Sequence, residues 1–126
     1  MMKSPQQTIY DAVFKASLDA GFRTFDFLPA KDEAYPFVFI GEQLDGDRIL
    51  KTAVLGEVRQ TIHIYHKHTE RGELSAMVHE LRRRMWNLGK TEGKPFRCTA
   101  ASGQMIPDNT AGSPLLHGII EAVFEF

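Results

Sequence analysis

The chain has a single cysteine, Cys98, among its 126 residues. That excludes an intrachain disulfide and a cysteine-built zinc site. A lone cysteine in an apolar strand reads as a small buried hydrophobe and fits a reducing compartment. Charge of one sign is also lacking. The 15 Lys and Arg against 16 Asp and Glu leave a net charge of −1, whereas tight non-specific nucleic-acid binding calls for a basic surplus. No apolar run approaches the roughly 20 residues of a membrane span. Met1–Gln7 is polar and lacks the apolar core of a signal peptide. These absences predict a soluble, intracellularly made protein without membrane or specific nucleic-acid partners.

Catalytic signatures are missing as well. No GxSxG elbow, GxxxxGK[ST] phosphate cradle or GxGxxG turn occurs. His79-Glu80 is followed by Arg83 where a zinc-protease helix needs histidine. Asp45 and Asp47, with Glu42 nearby, lack the further oxygens and terminal glutamate of a calcium loop. Nothing assembles a nucleophile, a base and an oxyanion hole. The expectation is a protein that is not an enzyme and needs no metal or other cofactor. The one enzyme alternative is a metal-dependent hydrolase built on His63, His66, His68 and His79. Its bland counterpart is a set of strand-end and surface histidines.

What is present is apolar patterning. The length suits one domain, 1–126, with a real core. Ser4-Pro5 opens a helix as N-cap and first helical residue. Ile9, Ala12, Val13, Ala16 and Ala20 recur at helical spacing, and Gly21 closes the helix. Phe22–Leu28 predicts a short strand. Tyr35-Pro36 starts the first central strand, where Phe37 and Phe39 face one way and Val38 and Ile40 the other. Both faces are apolar, so cover on both sides is expected, from the domain itself or a neighbouring subunit.

Leu44–Gly56 reads as a long loop, because Asp45-Gly46-Asp47 is a turn signal. Its Ile49, Leu50, Val54 and Leu55 are too apolar for a solvated loop. They fold back over the sheet edge or contact another chain. Glu57–His66 alternates, with Val58, Gln60, Ile62 and Ile64 on one face and Arg59, Thr61, His63 and Tyr65 on the other. The second face is aromatic and hydrogen-bonding, which also suits an interface.

Thr69 is positioned to cap a second helix, whose stripe is Leu74, Met77, Val78, Leu81, Met85 and Leu88. Arg82–Arg84 cover its outside, Trp86 flanks the stripe and Gly89 ends it. Phe96–Ala101 predicts a strand with Phe96, Cys98 and Ala100 on one face, followed by loop from Gly103 to Pro114. His117–Phe126 is the last strand, with Ile120, Ala122, Phe124 and Phe126 inward and Glu121 and Glu125 in water. The sum is an α+β fold: a mainly antiparallel, mixed sheet of about five strands, two main helices, and a long loop between the central strands.

The order and spacing of Leu28-Pro29, Tyr35-Pro36-Phe37-Val38-Phe39-Ile40-Gly41-Glu42, a variable loop, Gln60-Thr61-Ile62-His63-Ile64-Tyr65-His66, the Arg71–Leu88 helix and a closing Leu116–Phe126 strand cover nearly the whole chain. In this the sequence resembles the tail-completion, or head–tail joining, proteins of long-tailed siphophages and their prophages. That resemblance implies an α+β fold with a mixed sheet. It implies a ring, usually a hexamer, at the head-proximal end of the tail tube, with the tail tube protein and the head connector protein as partners. It implies no catalytic site and no cofactor, and a location in the virion after assembly in the host cytoplasm. A ring needs a heterologous contact between copies. Candidate contact residues are Asp45, Asp47, Arg48, Ile49, Leu50, Lys51, Leu55, Arg59, His63 and Tyr65. The charged members would set register and the apolar ones would supply burial. A different reading is a host adaptor that binds another protein by strand addition.

Overall fold

The computed structural model describes residues 3–30, 33–49, 53–90, 95–109 and 112–126. Its elements run α1 (Pro5–Asp19), β1 (Thr24–Phe25), β2 (Phe37–Ile49), β3 (Val54–Lys67), α2 (Arg71–Asn87), β4 (Arg97–Asp108) and β5 (Leu115–Glu125). The strands lie in the order β1-β2-β3-β5-β4. Only the β1–β2 pair is parallel; the other three pairs are antiparallel. The fold is therefore α+β with a mixed sheet, as the patterning predicts.

Both helices form as their sequences dictate, with one change of cap. Ser4 Oγ accepts from Gln7 N, and Pro5 fills the first turn of α1. The expected cap at Thr69 is not the one used. Glu70 is the N-cap of α2 and makes no side-chain cap bond. Gly21 and Gly89 follow the helices at positive φ, and a Cβ at Gly89 would collide with the Phe96 carbonyl.

The core lies between the helices and one face of the sheet. Ile9 and Val13 of α1 and Leu74, Leu81 and Met85 of α2 are fully buried. Opposite them are Val38, Ile40, Val58, Ile62, Ile64, Ile120 and Phe124. The alternation of β2, β3 and β5 sets this face, because successive side chains point to opposite sides. Gly118 lets α2 sit close: a Cβ there would lie 3.0 Å from Val78 and 3.2 Å from Leu74.

Several local expectations are corrected. The stretch expected as loop from Leu44 to Gly56 is mostly ladder. Leu44, Asp45, Gly46, Asp47, Arg48 and Ile49 pair with Arg59, Val58, Glu57, Gly56, Leu55 and Val54. Strand pairing overrides the Asp-Gly turn signal here, because exposed strand positions tolerate charge and strand preference depends on context. The stretch from Gly103 expected as loop continues β4 to Asp108. β4 is an edge strand, where Pro107 is tolerated. A bulge between Cys98 and Ala100 shifts the register of β4. In consequence Ala101 is buried, while Ala100 is exposed and Cys98 half-buried.

Candidate interaction surface

The β2–β3 hairpin outgrows the sheet. Its base is fixed where Gly56 and Phe126 exchange backbone bonds, Gly56 N to Phe126 O at 3.2 Å and Phe126 N to Gly56 O at 3.0 Å. A Cβ at Gly56 would sit 2.4 Å from the Phe126 ring, so a side chain here would have to displace that ring. From Gly56 to the tip the hairpin is two-stranded, because the β5 register with β3 begins at the Glu57–Glu125 pair. Ile49 and Val54 are partners across the tip and stand 80% and 64% exposed. Leu44 is 66% exposed. Isolated two-stranded hairpins are marginal in water, so contacts at the base must hold this one.

Those contacts come from both faces. On the helix side, Gln6 Nε2 donates to Asp45 Oδ2 at 3.0 Å, and Gln43 Nε2 donates to the Gln6 carbonyl at 3.1 Å. Gln43 Nε2 also lies 3.1 Å from Gln60 Oε1. Gln60 is fully buried among apolar neighbours, and its amide donates to the Gly41 and Glu42 carbonyls, 3.1 Å each. The register shift between Ile40 and Gln43 frees those carbonyls from the ladder. Gln60 thus satisfies its own buried amide on the two carbonyls of the bulge. A polar residue in the run Val58-x-Gln60-x-Ile62-x-Ile64 was the signal for this.

On the opposite face Arg48 Nη1 donates to Glu125 Oε1 at 2.7 Å, and Arg97 Nη2 to Glu125 Oε2 at 3.1 Å. The Glu125 side chain is 4% exposed, so the expectation that it faces water is corrected. Alternation does point it away from the helices. Two guanidiniums from β2 and β4 then close over it. The Arg48 hydrogen bond, ahead of that from Arg97, holds its carboxyl below the usual range, against the opposing effect of burial. Arg59 bridges Glu121 at 3.0 Å and Glu57 at 3.2 Å on the same face.

Further along this face the rings stack in a row. Phe37 meets Phe25 edge-on at 5.9 Å and stacks on Tyr35 at 5.6 Å and Tyr65 at 5.3 Å. Tyr65 stacks on His117 at 4.3 Å, His117 lies 5.0 Å from His63, and His63 stacks on Phe39 at 5.4 Å. No described helix covers these rings, yet Phe37 is 4% exposed. The expected cover on both faces of β2 is therefore helices on one side and the sheet's own rings on the other.

A polar chain threads the row. His63 Nε2 lies 2.7 Å from Glu42 Oε1, His63 Nδ1 lies 2.8 Å from His117 Nε2, and His117 Nδ1 lies 3.7 Å from Asp108 Oδ2. With Glu42 ionised, His63 Nε2 donates to it, and Nδ1 of a neutral His63 accepts from His117. Burial, then the neighbouring His63, pushes the His117 pKa down. The hydrogen bond from His63 lowers that of Glu42. Burial raises that of Tyr65, with Asp108 and Glu42 adding to it. Glu42, Asp108 and His117 were not among the expected site residues, because strand pairing across 54 positions joins His63 to His117.

The ten expected contact residues divide accordingly. Arg48, Leu55, Arg59, His63 and Tyr65 share the helix-free face. Asp45 bonds to α1, while Asp47 and Ile49 are exposed on the hairpin. Leu50 and Lys51 lie outside the described residues. The four histidines of the hydrolase alternative are not brought together. His63 is on the ring face, His66 is buried on the helix side with Nε2 3.3 Å from Glu73, and His68 and His79 are exposed. Among the described residues no group of three or more His, Cys, Asp or Glu is placed to hold a metal ion. No described helix is long and apolar enough to cross a membrane.

No protein-family model matches the chain, and no curated protein matches it. Its fold is similar to that of a chain in a solved structure, the virion of a native gene transfer agent particle. The match has a TM-score of 0.58 and 14% identity, and covers 98% of this chain and 96% of that one. The two share a fold from end to end.

Proposed function

We propose that the chain is a structural protein of a phage-like particle, without catalytic activity. It caps the head-proximal end of a long, non-contractile tail and joins it to the head connector. It works as a ring of copies, a hexamer in the assembled tail, with the tail tube protein and the head connector protein as partners. The observation that carries this reading is the end-to-end fold likeness to a virion chain. The sequence resemblance to tail-completion proteins supports it independently.

The hairpin supplies the projecting contact such a ring needs. Ile49 and Val54 can each contribute about 1.5–3 kcal/mol if fully covered by a partner. The near-neutral net charge of −1 suits a conduit through which DNA passes without being gripped. Deleting Asp47–Ala53 tests the reading in the producing cell. The expected result is a folded protein, with heads and tails that fail to join. Normal infectious or transducing particles from the deletion would overturn it.

A second reading, an adaptor working by strand addition, draws on β4, a 12-residue strand at the sheet edge. Neighbouring genes separate the two: capsid and tail genes favour the first.

A further inference from the structure

The sheet ends in two backbone edges whose open stretches match. β1 pairs with β2 only at Val38 and Phe39. From Gln43 to Ile49 the outer edge of β2 therefore has no strand beside it among the described residues, and β4 is the other edge. Gly56 and Phe126 exchange both backbone bonds. Bonding alternates along an antiparallel ladder, so the even-numbered residues of β3 bond to β5 and the odd-numbered ones to β2. The registers carry this alternation to both edges. On β2 the outward amides and carbonyls belong to Gln43, Asp45, Asp47 and Ile49. On β4 they belong to Ala101, Gly103, Met105 and Pro107. Two observations agree with this phase. Arg82 Nε donates to the Ala101 carbonyl at 3.0 Å, and Pro107, which has no N–H, falls on the open side.

The stretches Gln43–Ile49 and Ala101–Pro107 are equal in length, and each starts just past a register shift. Laid antiparallel end to end, they set Asp47 opposite Gly103, with both side-chain positions on the helix side. Asp47 is exposed and makes no ion pair or hydrogen bond among the described residues. Arg82 is exposed, and beyond its Nε bond to Ala101 it makes no ion pair among the described residues. Its chain lies over Gly103, where a Cβ would be 3.1 Å from Arg82 Cδ. The alignment thus brings an unpaired carboxylate to an unpaired guanidinium. The same alignment sets Leu44 opposite Ile106 on the helix-free face, and both are exposed aliphatic side chains.

We propose that the β4 edge of one copy pairs, antiparallel, with the Gln43–Ile49 edge of a second copy of this chain. Asp47 then meets Arg82, and Leu44 covers Ile106. β2, β3, β5 and β4 alternate in direction, so an antiparallel addition returns the next β2 to the direction of the first. The helices of successive copies stay on one side of a continuous sheet. The two edges are different patches, so the contact is head-to-tail and repeats from copy to copy. This rests on the ring reading above and names the edges that join its copies.

The test reads the register directly. Leu44→Cys and Ile106→Cys chains, each also carrying Cys98→Ala, are mixed with a mild oxidant, alone and on purified tails that lack the protein. Leu44 and Ile106 would form a non-hydrogen-bonded pair, in which the side chains are closest. The expected result is a Leu44–Ile106 heterodimer exceeding either homodimer about tenfold, with no such excess when Ser102→Cys replaces Ile106→Cys. Asp47→Arg or Arg82→Asp added to the cysteine chains should each lower that yield about tenfold, and the two changes together should restore it. A statistical mixture of dimers, in solution and on tails alike, would overturn the contact and leave the β4 edge to a strand of another protein. Copies that gather on the tails with statistical crosslinks would overturn the edge pairing while the ring reading stands. A heterodimer yield that neither charge change alters would overturn the Asp47–Arg82 pair.

Discussion

The two faces of the sheet close themselves by different means. The helix side is dry and aliphatic: Val38, Ile40, Ile62, Ile64, Ile120 and Phe124 are at most 1% exposed beneath α1 and α2. The other side has no helix among the described residues. It is closed by stacked rings and by charges paired across strands, with Phe37, His117 and Glu125 at 4%, 9% and 4% exposure. Burial alone therefore does not reveal which face is the core. The helix side derives its strength from non-directional apolar burial. The ring side depends on geometry, proton positions and ion pairs, which respond to pH and to a partner's approach.

The largest effect should come from the helix side. Phe124→Ala removes a fully buried ring and is expected to cost about 3–5 kcal/mol in chemical denaturation. Tyr65→Leu on the ring side should cost less, about 1–3 kcal/mol, as it loses two ring partners at roughly 0.5–1.5 kcal/mol each. If the two costs were equal, the contrast between the faces would fall.

Proton linkage sharpens the contrast further. The folded pKa of His117 is below its ordinary 6.5, so the unfolded chain binds that proton first. Stability is then lost as pH falls below about 6.5. His117→Gln should flatten the fall in denaturation midpoint between pH 7 and pH 5, and an unchanged slope would show that the imidazole is not held neutral. Glu125 has the same sign in a lower pH window. Its lowered pKa gives stability present above the ordinary carboxylate value of 4.5 and lost as pH drops through the folded value. Glu125→Gln should remove that acid-side loss, as read in the same titration continued below pH 4.5. The smallest effect on stability is expected at the hairpin tip. Ile49→Ser should change unfolding by no more than about 0.5 kcal/mol while weakening self-association, which sedimentation can follow.

How much of this was legible in the sequence follows from the same contrast. Apolar periodicity gave both helices and the inward faces of β2, β3 and β5, because aliphatic burial leaves a period of 3.6 or 2. The hairpin reads as a loop from sequence because its charged, glycine-bearing residues occupy exposed ladder positions, where composition resembles a loop. The bulge at Thr99 moved the buried side of β4 from Ala100 to Ala101, a one-residue shift that no pattern announces. At the candidate surface, Arg59, His63 and Tyr65 were visible from the alternation of one strand. Glu42, Asp108, His117 and Glu125 were not, because cross-strand register brings them together. Gln60 was a visible anomaly whose meaning needed the bulge at Ile40–Gln43.

The most direct test of the central claim is the mass of the chain by light scattering, first alone over a range of concentration and then after adding purified tails that lack it. The account predicts a mass climbing toward six chains in solution, or six copies gathered on each tail end. A chain that stays monomeric in solution and leaves the tails bare would contradict it.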